Sequence, residues 1–155
     1  MDLDKEYGEA LPPSKIKPWE EKEEGGVVSN STTQIFDSSD SSKGRLDLSV
    51  DMKMYIWVVD KAGCLRVGEE CVVGVDLDSG QEKKLGHPTL VEGESARIAG
   101  EITWFENEKK WKVNDISGRY TKNRNRSRAH LDHVVQLFIR AGIQAEIDRV
   151  VYSNA

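Results

Sequence analysis

The chain has 155 residues, 37% of them hydrophobic and 32% charged, and a formal net charge of −5. That length suffices for one domain with a core of its own. No run of about eighteen apolar residues occurs, which excludes a membrane-spanning helix, and the overall acidity argues against a general coat for nucleic acid.

The opening stretch, MDLDKEYGEALPPSK, has no basic segment followed by an apolar one. No secretory leader is therefore expected, and the localisation is read as cytoplasmic, with delivery into a target cell as part of a larger chain as the other route. Residues 1–45 carry Pro12, Pro13 and Pro18, then EEKEEGG, then SNSTTQIFDSSDSSKG. So few apolar side chains do not offset chain entropy. An extended or disordered arm or linker is expected over 1–45, pinned in places by Trp19 and by Gln34–Phe36, followed by a compact domain over 46–155.

From Met52 the pattern changes. MYIWVVD alternates aromatic and β-branched residues and predicts a strand; CLRVG pairs back on it, and CVVGVDL predicts a third. DSGQEKKLGHP is a polar connection. Cys64 and Cys71 have no metal-ligand spacing around them and are read as ordinary buried thiols, neither a metal site nor a disulfide. Residues 96–105 form the next strand, with Ile98, Gly100, Ile102 and Trp104 on one face and Arg97, Ala99, Glu101 and Thr103 on the other. The turn ENEKK closes a hairpin onto KWKVN. Leu131, Val134, Val135, Phe138 and Ala141 recur at helical spacing, with Asn125 or Ser127 as the cap and Gly142 as the stop. IQAEIDRVVY is a final strand. Strands, one amphipathic C-terminal helix and a strand predict an α+β fold on a mainly antiparallel sheet, with a poorly structured N-terminal arm.

The charge is unevenly spread. Residues 1–50 hold 11 acids and 6 bases, and residues 103–155 hold 6 acids and 10 bases. An anion site near the C-terminus, or neutralisation of one half by the other, follows from that asymmetry. Six positions stand out beside their plainer readings. His87, held extended by Pro88, is either aimed into a cleft or a surface histidine. Glu101 is either a general base or ribose anchor, or a surface partner of Lys112 across the hairpin. In Ser117-Gly118-Arg119-Tyr120, Gly118 is expected to take a positive φ, Ser117 to donate a hydrogen bond, and Arg119 to meet a phosphate bidentately. Tyr120 either stacks on a ring or packs into the core. Arg124 belongs to TKNRNRSRAH, a basic loop entering a helix N-terminus, which favours anions, or else a solvated loop. His130 and His133 lack further ligands, and no metal is expected. The chain also lacks a Walker loop, a Rossmann glycine pattern and a nucleophile elbow.

GHPTLVEGESARIAGEITW, KKWKVNDISGRY and the helix beyond them resemble a module at the C-terminal ends of bacterial polymorphic toxins and effectors, found also in plant IQ-motif calmodulin-binding proteins. The likeness covers roughly residues 85–142, with Arg119 where the plant members have His. It implies a toxin or effector domain of a bacterial competition system. Within that class an ADP-ribosyltransferase-like enzyme using NAD is expected. His87, Glu101 and Tyr120 are its catalytic group, and Ser117, Arg119 and Arg124 hold the ligand. A ribonuclease toxin, or a non-enzymatic immunity protein that neutralises a toxin, are the alternatives. A cognate toxin or immunity protein and a nucleotide are the expected partners, with no membrane. Arg119→Ala is expected to weaken ligand binding and leave the fold intact.

Overall fold

A computed structural model describes residues 2–154. Its regular elements are α1 (Leu3–Tyr7), β1 (Gln34–Phe36), β2 (Met54–Asp60), β3 (Leu65–Gly68), β4 (Val72–Val75), β5 (Glu82–Lys84), β6 (Ala96–Phe105), β7 (Lys110–Asn114), α2 (Arg128–Arg140) and β8 (Ala145–Arg149). The fold is α+β, with one main helix. Six strands form a sheet in the order β1-β3-β2-β6-β7-β8, while β4 and β5 make a separate ribbon. Pairing is antiparallel except between β7 and β8, which run parallel with α2 as their crossover.

Residue type explains which sheet face meets what. Trp57, Val59, Ile98 and Ile102 point to one side, where Leu131, Val134, Val135 and Phe138 of α2 cover them. Ser127 caps α2 through its hydroxyl, and Gly142 leaves it at φ 94. Ile56, Val58 and Ala99 point to the other side, under Leu90, Val91 and Tyr120. The middle of β2 is therefore buried on both faces, which is why MYIWVVD shows no polar alternation. At position 100 a Cβ would collide with the Asn114 carbonyl, so only glycine lets β6 and β7 approach. Past β7, the buried Asp115 carboxylate accepts N–H groups from Val151, Tyr152 and Ser153 at 2.7, 2.9 and 2.6 Å, fastening the C-terminal tail.

The N-terminal segment departs from the expected arm. Its regular structure is sparse, yet it is packed on the domain. Tyr7 is buried with its ring edge-on to His133, β1 pairs with β3, and Leu11 exchanges two backbone hydrogen bonds of 3.0 Å with Ala96. Asp4 and the Gly8 carbonyl both accept from Arg97. Single anchors spaced along a polar chain, each meeting a partner far away in sequence, offset the ordering cost that local composition alone does not. The compact unit thus includes residues 2–45. The second departure is DSGQEKKLGHP, whose Glu82–Lys84 is a strand, and whose ribbon stands apart from the main sheet.

Candidate functional site

The loop after β7 crosses the sheet face opposite α2. Thr121 fixes it there: its hydroxyl donates to Ala99 O at 2.6 Å and accepts from Ala99 N at 3.0 Å. The turn itself is built on Ser117. Its carbonyl accepts from Thr121 N and Lys122 N, and its side-chain oxygen from Arg119 N and Tyr120 N. The left-handed position is Asn123, at φ 61, and not Gly118 as expected. Ser117 is buried and supports the turn instead of presenting a free donor.

Arg119 projects toward the loop carrying Gly86 and His87 and finds a carboxylate waiting. Glu20 is fully buried and receives the guanidinium as a fork, at 2.7 and 2.8 Å. The same carboxylate accepts Lys17 N at 2.8 Å and Gly86 N at 2.7 Å. Burial by itself raises the Glu20 pKa; the Arg119 hydrogen bonds and the two backbone N–H groups outweigh it and hold the group below its ordinary range. A side chain at Gly86 would press on both partners. The N-terminal segment, residues 2–45, straps the domain, and its residues 11–20 lie over this point. Ser14 N donates to Arg119 O, Ser14 Oγ to Gly118 O, and Arg119 Nη1 also reaches Lys15 O. Arg124 is likewise engaged, donating to Pro12 O at 2.8 Å.

His87 sits behind this ion pair. Its Nε2 lies 2.8 Å from Gly100 O, and because a carbonyl only accepts, Nε2 carries the proton. Burial pushes its pKa down to about 4, with Arg119 adding to the depression against the Gly100 hydrogen bond. His87 is a neutral, buried brace between the loop and β6. Tyr120 is fully buried; its hydroxyl donates to Glu94 O, and burial raises its pKa above the ordinary range. It packs in the core and presents no stacking face. Glu101 stands opposite Asn114, not Lys112. It accepts from Asn114 Nδ2 at 3.1 Å, while Lys112 turns to Glu108 and Glu146.

The fold thus gathers His87, Ser117, Arg119 and Tyr120 on one side of β6, but each is engaged with its own partner: His87 with Gly100 O, Tyr120 with Glu94 O, Arg119 with Glu20 and Lys15 O, and Ser117 with the turn's backbone. Among the described residues no group of three or more His, Cys, Asp or Glu is arranged to hold a metal. His130 Nδ1 accepts from Ser127 N, and His133 Nδ1 lies 2.6 Å from Glu6 O. Cys64 and Cys71 are free thiols, the former pushed up to about 11 by burial.

The sequence reading missed Glu20, because its partner lies 99 residues away. It also took Arg126 only as one member of the basic loop, although it is the most enclosed arginine of that run. No helix among the described residues is long and apolar enough to cross a membrane. Comparison with protein-family models, curated proteins and solved structures yields no match to this chain.

Proposed function

We propose that this chain is a non-enzymatic binding protein of a bacterial competition system, the partner that neutralises a toxin. The observation that carries the reading is the β4–β5 ribbon. Of the eight large apolar side chains exposed among the described residues, four are Val72, Val73, Val75 and Leu77, the last 97% exposed. Such a cluster marks an interaction surface. Glu70, Asp76, Asp78 and Glu82 surround it, against Lys83 and Lys84, so a basic protein surface is its electrostatic complement. A second copy fits poorly. Two copies laid ribbon to ribbon set the same acidic surplus, Glu70, Asp76, Asp78 and Glu82, against itself, and like charges repel.

Isothermal calorimetry with NAD and with a short RNA tests the reading, together with growth of a bacterium expressing the chain. No binding heat from either ligand and continued growth are the expected outcome. Growth arrest, or NAD binding by the wild type, overturns it.

One observation favours a second reading, the NAD-dependent ADP-ribosyltransferase-like toxin. The Arg119 fork and the Lys17 and Gly86 N–H groups form a four-donor anion cradle, and only the chain's own Glu20 fills it. In that reading the strap of residues 11–20 holds the site shut. NAD binding by Glu20→Gln, absent in the wild type, is its signature.

A further inference from the structure

Arg126 is only 2% exposed, and it has no carboxylate within ion-pair distance among the described residues. One Nη donates to Glu9 O at 2.6 Å; Nε is buried with no partner. A buried guanidinium without a counter-charge is costly. The surroundings are built to accept it all the same. Gly8, at φ 95, brings the strap backbone against the guanidinium, where a Cβ would stand 2.8 Å from Cζ. Beside it opens a cleft of about 360 Å³, lined by Gly8, Glu9, Asn125, Arg126 and His130 among others. The N-terminus of α2 begins two residues on, at Arg128.

These features combine. An unsatisfied cation, the positive end of a thirteen-residue helix and an adjoining cleft all favour a negative ligand. Arg97, the other arginine against this strap, has Asp4 as its counter-ion at 2.6 Å, so the two differ in what they lack. His130 stands at the cleft with its pKa lowered, by burial first and by Arg126 next. Asp4 and Glu9 at the rim disfavour a polyanion. We infer that the cleft beside Arg126 binds a small oxyanion of the phosphate class, either free or as a terminal phosphomonoester. This site is separate from the ribbon and stands whether or not the chain is a toxin-neutralising protein.

The test is a thermal and NMR titration of the full chain with inorganic phosphate and, in a second arm, with glycerol phosphate. Sodium chloride at equal ionic strength is the control. Phosphate is expected to raise the melting temperature beyond chloride and to shift amides at Gly8, Glu9 and Asn125 to His130. Tighter binding of glycerol phosphate than of phosphate identifies the phosphomonoester as the ligand. Arg126→Leu should weaken binding about ten- to a hundredfold, the loss of one charged hydrogen-bonding group. Equal stabilisation by chloride overturns the proposal. So do shifts scattered over surface lysines, or phosphate binding unchanged in Arg126→Leu. Should that variant not fold, the wild-type shift map alone decides.

Discussion

Two arginines seven positions apart meet opposite electrostatic circumstances. Arg119 holds Glu20 in a bidentate pair and has every neighbour answered; Arg126 is more deeply enclosed and has one carbonyl. Both come from the same basic stretch, and both are covered by the N-terminal strap. The difference lies in what the strap brings. Over Arg119 it lays a carboxylate, and over Arg126 a bare glycine backbone. A basic run in sequence therefore does not locate an anion site; the segment folded across it decides which cation remains available.

The largest expected effect breaks the satisfied side of this comparison. Arg119→Ala strands the buried Glu20 carboxylate, and Glu20→Ala strands the guanidinium and two N–H groups. Each should cost about 3–5 kcal/mol in urea denaturation. This reverses the expectation from sequence that Arg119→Ala spares the fold. Combined Glu20→Met and Arg119→Leu should recover much of the loss, since an apolar pair leaves fewer charges stranded.

Acid should act on the same place next. His87 has a folded-state pKa of about 4 against the ordinary 6.5. The unfolded chain therefore gains a proton that the folded chain refuses, and stability falls as pH drops from about 6.5 to about 4. The full effect is roughly 3 kcal/mol. Glu20, with its pKa depressed, adds a contribution that is present above its unfolded value and lost as pH falls through the folded one. Denaturant midpoints measured over this range should slope less in His87→Gln. An equal slope would remove His87 as the cause.

Arg126→Leu sharpens the contrast from the other side. Without phosphate it should change stability by less than about 1 kcal/mol, or raise it, because it removes an uncompensated charge. A loss as large as that of Arg119→Ala would mean that Arg126 is fully satisfied. Smallest of all, Leu77→Ser on the ribbon should stay within about 0.5 kcal/mol, as an exposed position does.

The sheet and helix were legible because their information is local. Leu131, Val134, Val135 and Phe138 sit on one helical stripe, and β6 alternates around Gly100. The candidate site was only half legible. His87, Arg119 and Tyr120 were singled out, but what they touch depends on Gly100, Glu20 and Glu94, which no local pattern links to them. The strap stayed illegible for a related reason. Tyr7, Glu20 and Phe36 are lone anchors in polar surroundings, and each partner is distant. The ribbon was half legible: CVVGVDL was read as a strand and is one, while its partner Glu82–Lys84 was read as a polar connection. Val72, Val73 and Val75 look like a core strand, and no local pattern in VVGV tells a covered strand from a bare one.

The 99-residue separation of Glu20 and Arg119 also sets an order of events during synthesis. At ribosomal speeds of about 5–20 residues per second, Glu20 emerges roughly 5–20 s before its partner exists. For that interval the strap has little to fold against, since Ala96, Arg97 and Arg126 are absent or newly made as well. The strap, translated before its partners, is then among the last segments to settle, and nascent chains should leave it open to proteases until α2 has cleared the exit tunnel.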